Sequence, residues 1–142
     1  MIGRAGIYTA LFALLQTATG FAEYGARLKF PAEVPAQPAL FLRRTDDDYQ
    51  TRRARGLPAI VVLTAEVIIY YRATDVEEAP GAELDALIEA VEAALLPGPL
   101  CDYQTLGGLV SHCWIEGTIK KDDGALSGQA GAIIPIKMLT TS

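Results

Sequence analysis

The chain has 142 residues, of which 51% are hydrophobic and 20% charged, and a formal net charge of -5. That length fits one domain able to bury roughly 68–70% of its unfolded surface, and the composition is far from that of a disordered or fibrous protein. The acidic balance argues against a dedicated DNA binder, because binding of that kind draws on counterion release from phosphates. Cys101 and Cys113 form neither a CxxC pair nor a disulfide framework, so a reducing cytosol is the simplest compartment.

From residue 4 to 17, Ile7, Leu11, Leu14 and Leu15, continued by Ala18, recur with the spacing of an amphipathic helix that Gly20 ends. Tyr8 and Phe12 widen the apolar stripe beyond one core face and leave Thr9, Ala13 and Gln16 as a thin polar edge. Such a helix is either covered twice within its own domain or shares a face with a neighbouring subunit. The stretch from Met1 to Ala22 has a superficial likeness to a signal peptide, but Tyr8, Thr9 and Gln16 interrupt it and its spacing is helical, so it is read as part of the fold. No other segment approaches the ~18 uninterrupted apolar residues of a membrane span.

Residues 21–30 read as a strand, and Pro31, Pro35 and Pro38 as an extended connector. A short strand at 39–43 leads into a run from Arg44 to Gly56 with no hydrophobic period and dense charge of both signs. This run predicts a long exposed loop at about 44–58. Five of the 12 Lys and Arg residues lie in or beside it: Arg43, Arg44, Arg52, Arg53 and Arg55. Two readings stand side by side, a solvated loop balanced by its own aspartates and an arginine-rich protein contact.

Residues 59–72 alternate with period two. Val61, Leu63, Ala65, Val67, Ile69 and Tyr71 form one face, which predicts a central strand. Residues 83–96 set Leu84, Leu87, Ile88, Val91 and Leu95 on one side of a second helix, stopped by Pro97-Gly98-Pro99. The last third reads as a hairpin, with strands at 109–120 and 129–139 and Asp122-Asp123-Gly124 in the connection. Pro135 cannot donate to a ladder, which predicts a sheet edge or a bulge there. The fold class is therefore α+β, a single mixed or mostly antiparallel sheet with two helices packed on it, in one domain spanning 1–142.

No pattern points to chemistry. His112 and Cys113 are neighbours and project to opposite sides of one strand, so they predict no nucleophile-base pair. Asp46-Asp47-Asp48 lacks the alternating spacing and glycine of a calcium loop, and Gly107-Gly108 lacks the Lys-Ser/Thr of a phosphate loop. The chain is read as a non-enzyme with no catalytic, cofactor or metal residues.

The Arg-led first helix, Pro38-Ala39-Leu40, the charged run, Ile68-Ile69-Tyr70-Tyr71, the acidic helix and Thr105-Leu106-Gly107-Gly108 before a terminal hairpin occur in an order that resembles the tail terminator proteins of long-tailed bacteriophages. The resemblance covers nearly the whole chain, and small head-tail connector proteins share parts of it. It implies a ring, typically of six copies, at the head-proximal end of the virion tail. That ring would cap the tail tube, stop its polymerisation and offer the head-joining surface. The implied partners are the chain itself, the tail tube protein and head-tail connector proteins, with DNA only passing through the lumen, no membrane, and assembly in the host cytoplasm. A host-type interaction module is the remaining alternative. Arg44, Arg52, Arg53 and Arg55 of the charged run, Tyr8 and Phe12 of the wide helix, and the strand around Pro135 are the protein-interaction candidates.

Overall fold

A computed structural model of the protein describes residues 2–50, 55, 57–72, 81–122, 124 and 129–141. In chain order these form α1 (Arg4–Leu15), β1 (Glu23–Gly25), a turn of 3-10 helix at Pro31–Glu33, β2 (Ala39–Tyr49), β3 (Ile60–Arg72), α2 (Ala82–Ala94), β4 (His112–Ile115), β5 (Lys120–Asp122) and β6 (Gln129–Thr141). The strands make one mixed sheet in the order β1-β2-β3-β6-β4, with β5 also paired to β6. Only β1 runs parallel to its neighbour. The expected α+β class is the one observed.

Alternation along the strands decides what is buried. Val61, Leu63, Ala65, Val67 and Ile69 of β3 and Ala132, Ile134, Ile136 and Met138 of β6 point to the face that carries both helices. Against them pack Ile7, Tyr8, Leu11 and Leu15 of α1 and Leu84, Leu87, Ile88 and Val91 of α2. Burying each such aliphatic side chain contributes roughly 1.5–3 kcal/mol, so this layer dominates the fold. Glu83 and Asp85 stand in the first turn of α2, where its exposed N–H groups favour negative charge. Leu14 and Ile115 pack against this core partly buried.

The opposite face is only half covered. Val34, from the chain after the 3-10 turn, packs on Ala39, Phe41 and Ile68, with Tyr70 and Ile133 at its margin. The Tyr70 hydroxyl donates to the Lys29 carbonyl at 2.6 Å, which fastens this connector to the sheet. Gly25 lies so close to the Phe41 ring that a Cβ there would stand 2.6 Å from it, so β1 can pair with β2 only through a glycine at that point.

Three sequence expectations are corrected. The strand expected at 21–30 is confined to Glu23–Gly25. The loop expected from Arg44 begins later, because β2 runs to Tyr49 and pairs through Arg44, Asp46, Asp47, Asp48 and Tyr49 with Ala65 to Val61. A register shift at Thr45 is bridged by its hydroxyl, which donates to the Thr64 carbonyl at 3.0 Å. Charged residues hide the strand period here because this half of β2 lies at the sheet edge and needs no apolar outer neighbour.

The third correction concerns Pro135. Its strand, β6, is interior and lies between β3 and the β4/β5 column. The Pro135 carbonyl accepts from Glu116 N–H at 3.4 Å, and the nitrogen and oxygen of one residue in an antiparallel strand face the same side. The missing donor therefore faces the stretch between Ile115 and Lys120, where the neighbouring column is broken into two strands. The irregularity that proline demands is taken up by the neighbour, and the β3 ladder loses no bond.

Leu11 and Leu87 are both buried in the shared core. Replacing either with Ala is expected to cost about 2–5 kcal/mol, measured by denaturant unfolding. A loss well below 1 kcal/mol at both positions contradicts this packing.

Candidate functional site

The candidate residues on α1 and β2 come together, but within the chain. The Arg44 guanidinium carbon lies 4.2 Å from the centroid of the Tyr8 ring, a cation–π contact. Beside it Arg4 Nε donates to Asp47 Oδ2 at 2.6 Å and Arg4 Nη2 to the Tyr49 hydroxyl at 3.0 Å. These bonds clasp the start of α1 to the charged half of β2. Burial, with Asp47 acting in the same direction, raises the Tyr8 hydroxyl above its ordinary pKa, while Arg44 and Arg4 oppose the shift. Tyr8 is thus enclosed by its own chain, and Arg44 is engaged on it.

Phe12 is half-buried against the core, Pro135 is half-buried on the outer face, and Arg55 is exposed in a turn. Arg52 and Arg53 lie outside the described residues. Glu66 stands 3.8 Å from Arg43, whereas Asp46 and Asp48 are exposed and form no ion pair among the described residues.

On the outer face, the half of the sheet beyond the connector is only partly covered by the described residues. Its cross-strand rows follow from the register: Asp48, Val62, Leu139 and His112; then Asp46, Thr64, Lys137 and Trp114; then Arg43, Glu66 and Pro135. His112 is stacked on Trp114 with centroids 4.6 Å apart and meets Tyr103 edge-on at 4.8 Å. Trp114 and Tyr103 were not singled out from sequence, because their partnership depends on a loop folding back onto β4. The one available hint was that an alternating strand placed Trp114 on the same side as His112.

Cys113 does point to the other side, into the main core. Desolvation pushes its thiol up to about 12, which opposes the thiolate needed for nucleophilic work. Among the described residues no cluster of three or more His, Cys, Asp or Glu side chains could hold a metal ion, and no helix is long and apolar enough to cross a membrane.

Large apolar side chains stand exposed at two places on the sheet margin. Tyr49, Leu57 and Ile60 lie where β2 passes into β3. Leu96, Leu100, Tyr103 and Leu109 lie on the connection from α2 to β4.

No family model matches the chain, and no curated protein matches it in sequence. Among solved structures, a chain from the virion of a native gene transfer agent particle superposes with a TM-score of 0.61 at 14% identity, over 98% of this chain and 97% of that one. The two chains share a fold from end to end.

The two cysteines are expected to separate in a thiol titration of the native protein at neutral pH. Exposed Cys101 should react, and buried Cys113 should react only after unfolding. Fast reaction of both thiols in the folded protein contradicts the placement of Cys113.

Proposed function

We propose that the protein is a structural component of a phage-type virion, located in the particle and assembling with other virion proteins. The observation that carries this reading is the end-to-end likeness in fold to a chain of a gene transfer agent virion. The buried thiol of Cys113 and the stacked ring of His112 are consistent with a role exercised through surfaces instead of chemistry.

The finer reading is a tail terminator. Copies of the chain form a ring, six being the number the resemblance implies, which caps the tail tube, stops its polymerisation and offers the surface to which the head is joined. The tail tube protein and head-tail connector proteins are its partners, and DNA passes through the lumen without being gripped. Arg52, Arg53 and Arg55 are proposed to meet acidic groups of a neighbouring subunit or of the tube, through the multidentate geometry that suits arginine to protein contacts.

A head-tail connector is the second reading, because the neighbour's description concerns the whole virion and does not single out its tail. Electron micrographs of particles produced without the chain separate the two. Tails of irregular length, with unjoined heads, are the terminator outcome, and tails of regular length without heads are the connector outcome. Normal particles sink both. The triple variant R52E/R53E/R55E is expected to reproduce the defect while leaving the melting temperature of the isolated chain nearly unchanged.

A further inference from the structure

Of Asp46, Asp47 and Asp48, only Asp47 is drawn into an ion pair among the described residues, with Arg4. The register shift at Thr45 is what separates the three. Arg43 lies on the outer face with Glu66, and unbroken alternation from there would turn Asp47 to that face and Asp46 and Asp48 towards α1. The extra residue reverses this. Asp46 and Asp48 stand on the outer face beside Thr64 and Val62, and Asp47 meets Arg4.

The backbone of this stretch alternates as well. Gln50 N–H donates to the Ile60 carbonyl at 2.8 Å, and the nitrogen and oxygen of one residue in an antiparallel strand face the same side. Asp48 and Asp46 therefore turn their backbone groups to β3, and Asp47 and Tyr49 turn theirs to the sheet edge. β1 ends at Gly25, opposite Phe41, so among the described residues no strand pairs with that side of β2 from Leu42 to Tyr49. We infer that Asp46 to Tyr49 is a docking edge for an extended segment of another protein, one that carries Lys or Arg at alternate positions and joins the sheet as a further strand. Backbone bonds to Asp47 and Tyr49 would hold that strand. Asp46 and Asp48 would select it, because side chains directly opposite each other on neighbouring strands stand about 5 Å apart, close enough to pair.

Charge decides the occupant. Asp46 and Asp48 are exposed on an acidic chain, and Asp48 Oδ2 accepts from the Gln50 side-chain amide at 2.8 Å, which positions the carboxylate without neutralising it. Two copies joined through this same edge would set like charges against each other, which is destabilising. No described strand of the chain carries Lys or Arg at two alternate positions, so a second copy offers no matching strand among the described residues. The edge is also held in shape before contact. Arg4 bonds Asp47 and Tyr49, Arg44 lies on Tyr8, and the Thr45 hydroxyl bonds the Thr64 carbonyl. Such preorganisation lowers the entropy lost on association. The inference goes beyond the virion reading and does not depend on which component of a particle the chain is.

A synthetic peptide of alternating lysine and threonine tests the edge, by titration calorimetry and backbone amide hydrogen exchange on the unaltered chain and on D46K/D48K, with circular dichroism confirming that the variant folds. The peptide is expected to slow exchange at the Asp47 and Tyr49 amides and to leave those of Asp46 and Asp48, already bonded to β3, unchanged. D46K/D48K should bind it at least roughly tenfold more weakly, each reversed charge replacing an attraction with a repulsion. The variant should instead take up an alternating glutamate and threonine peptide that the unaltered chain refuses. A strand presents only alternate N–H groups to one neighbour, so methylating the amide nitrogens of either the threonines or the lysines, and not of both sets in turn, should abolish binding. The inference is overturned by a peptide that does not bind, by equal binding to D46K/D48K, by indifference to both methylations, or by binding without protection at Asp47 and Tyr49, which marks charge attraction alone. Protection of those two amides that grows with chain concentration in the absence of peptide also overturns it, since the occupant is then a second copy. None of these results bears on the particle phenotypes that test the virion reading, so the two fail separately.

Discussion

Thirteen successive residue pairs, from Ile60 with Thr141 to Arg72 with Gln129, join β3 to β6, and the rest of the fold is arranged around that ladder. Both strands alternate in phase, so one face receives β-branched and aliphatic side chains from two adjacent columns without interruption. That surface is what the two helices cover. Because a slip of one residue would turn every one of these side chains to the wrong face, the register is fixed by burial as much as by hydrogen bonds. Pro135 fits in the middle of β6 only because its missing donor faces away from this ladder, and the resulting break gives the outer column its two short strands.

On the far side of β3 a different constraint operates. β2 is apolar where β1 and the connector cover it, at Ala39 to Leu42, and charged where, among the described residues, no strand pairs with its outer side. Charges and a bulge on an unpaired edge protect it from indiscriminate strand addition. Here part of the charge is used internally, since Arg44 lies on Tyr8 and Arg4 holds Asp47. The edge is therefore tied to α1, and any partner that approaches it meets Asp46, Asp48 and the apolar side chains at its end.

One sheet face is sealed by helices and the other is half open, and the exposed apolar groups gather at the margins. The neighbours Cys113 and His112 lie in different surroundings. Cys113 is desolvated in the core, and His112 is held between two aromatic rings on the other side of β4. The virion chain that shares the fold does so at 14% identity, as expected where alternation and helix period are kept and individual residues are free to change.

The sequence by itself determined the elements whose pattern is periodic. The stripe through Ile7, Leu11 and Leu15, the alternation from Val61 to Ile69 and the stripe through Leu84, Leu87 and Val91 each report burial directly, because side chains facing a core must recur at the period of the backbone. The α+β class followed from their order. Tertiary structure alone decided the extent of β2, since the charged residues after Leu42 become a strand only when β3 supplies the pairing groups, and local sequence records no such partner. It alone decided that β6 is interior, because a proline rules out a donor on one side of a strand without saying which neighbour lies on that side. It also decided the margins. Leu57, Leu100 and Tyr103 look in sequence like any other apolar residues, and only the packing shows that they stand exposed among the described residues.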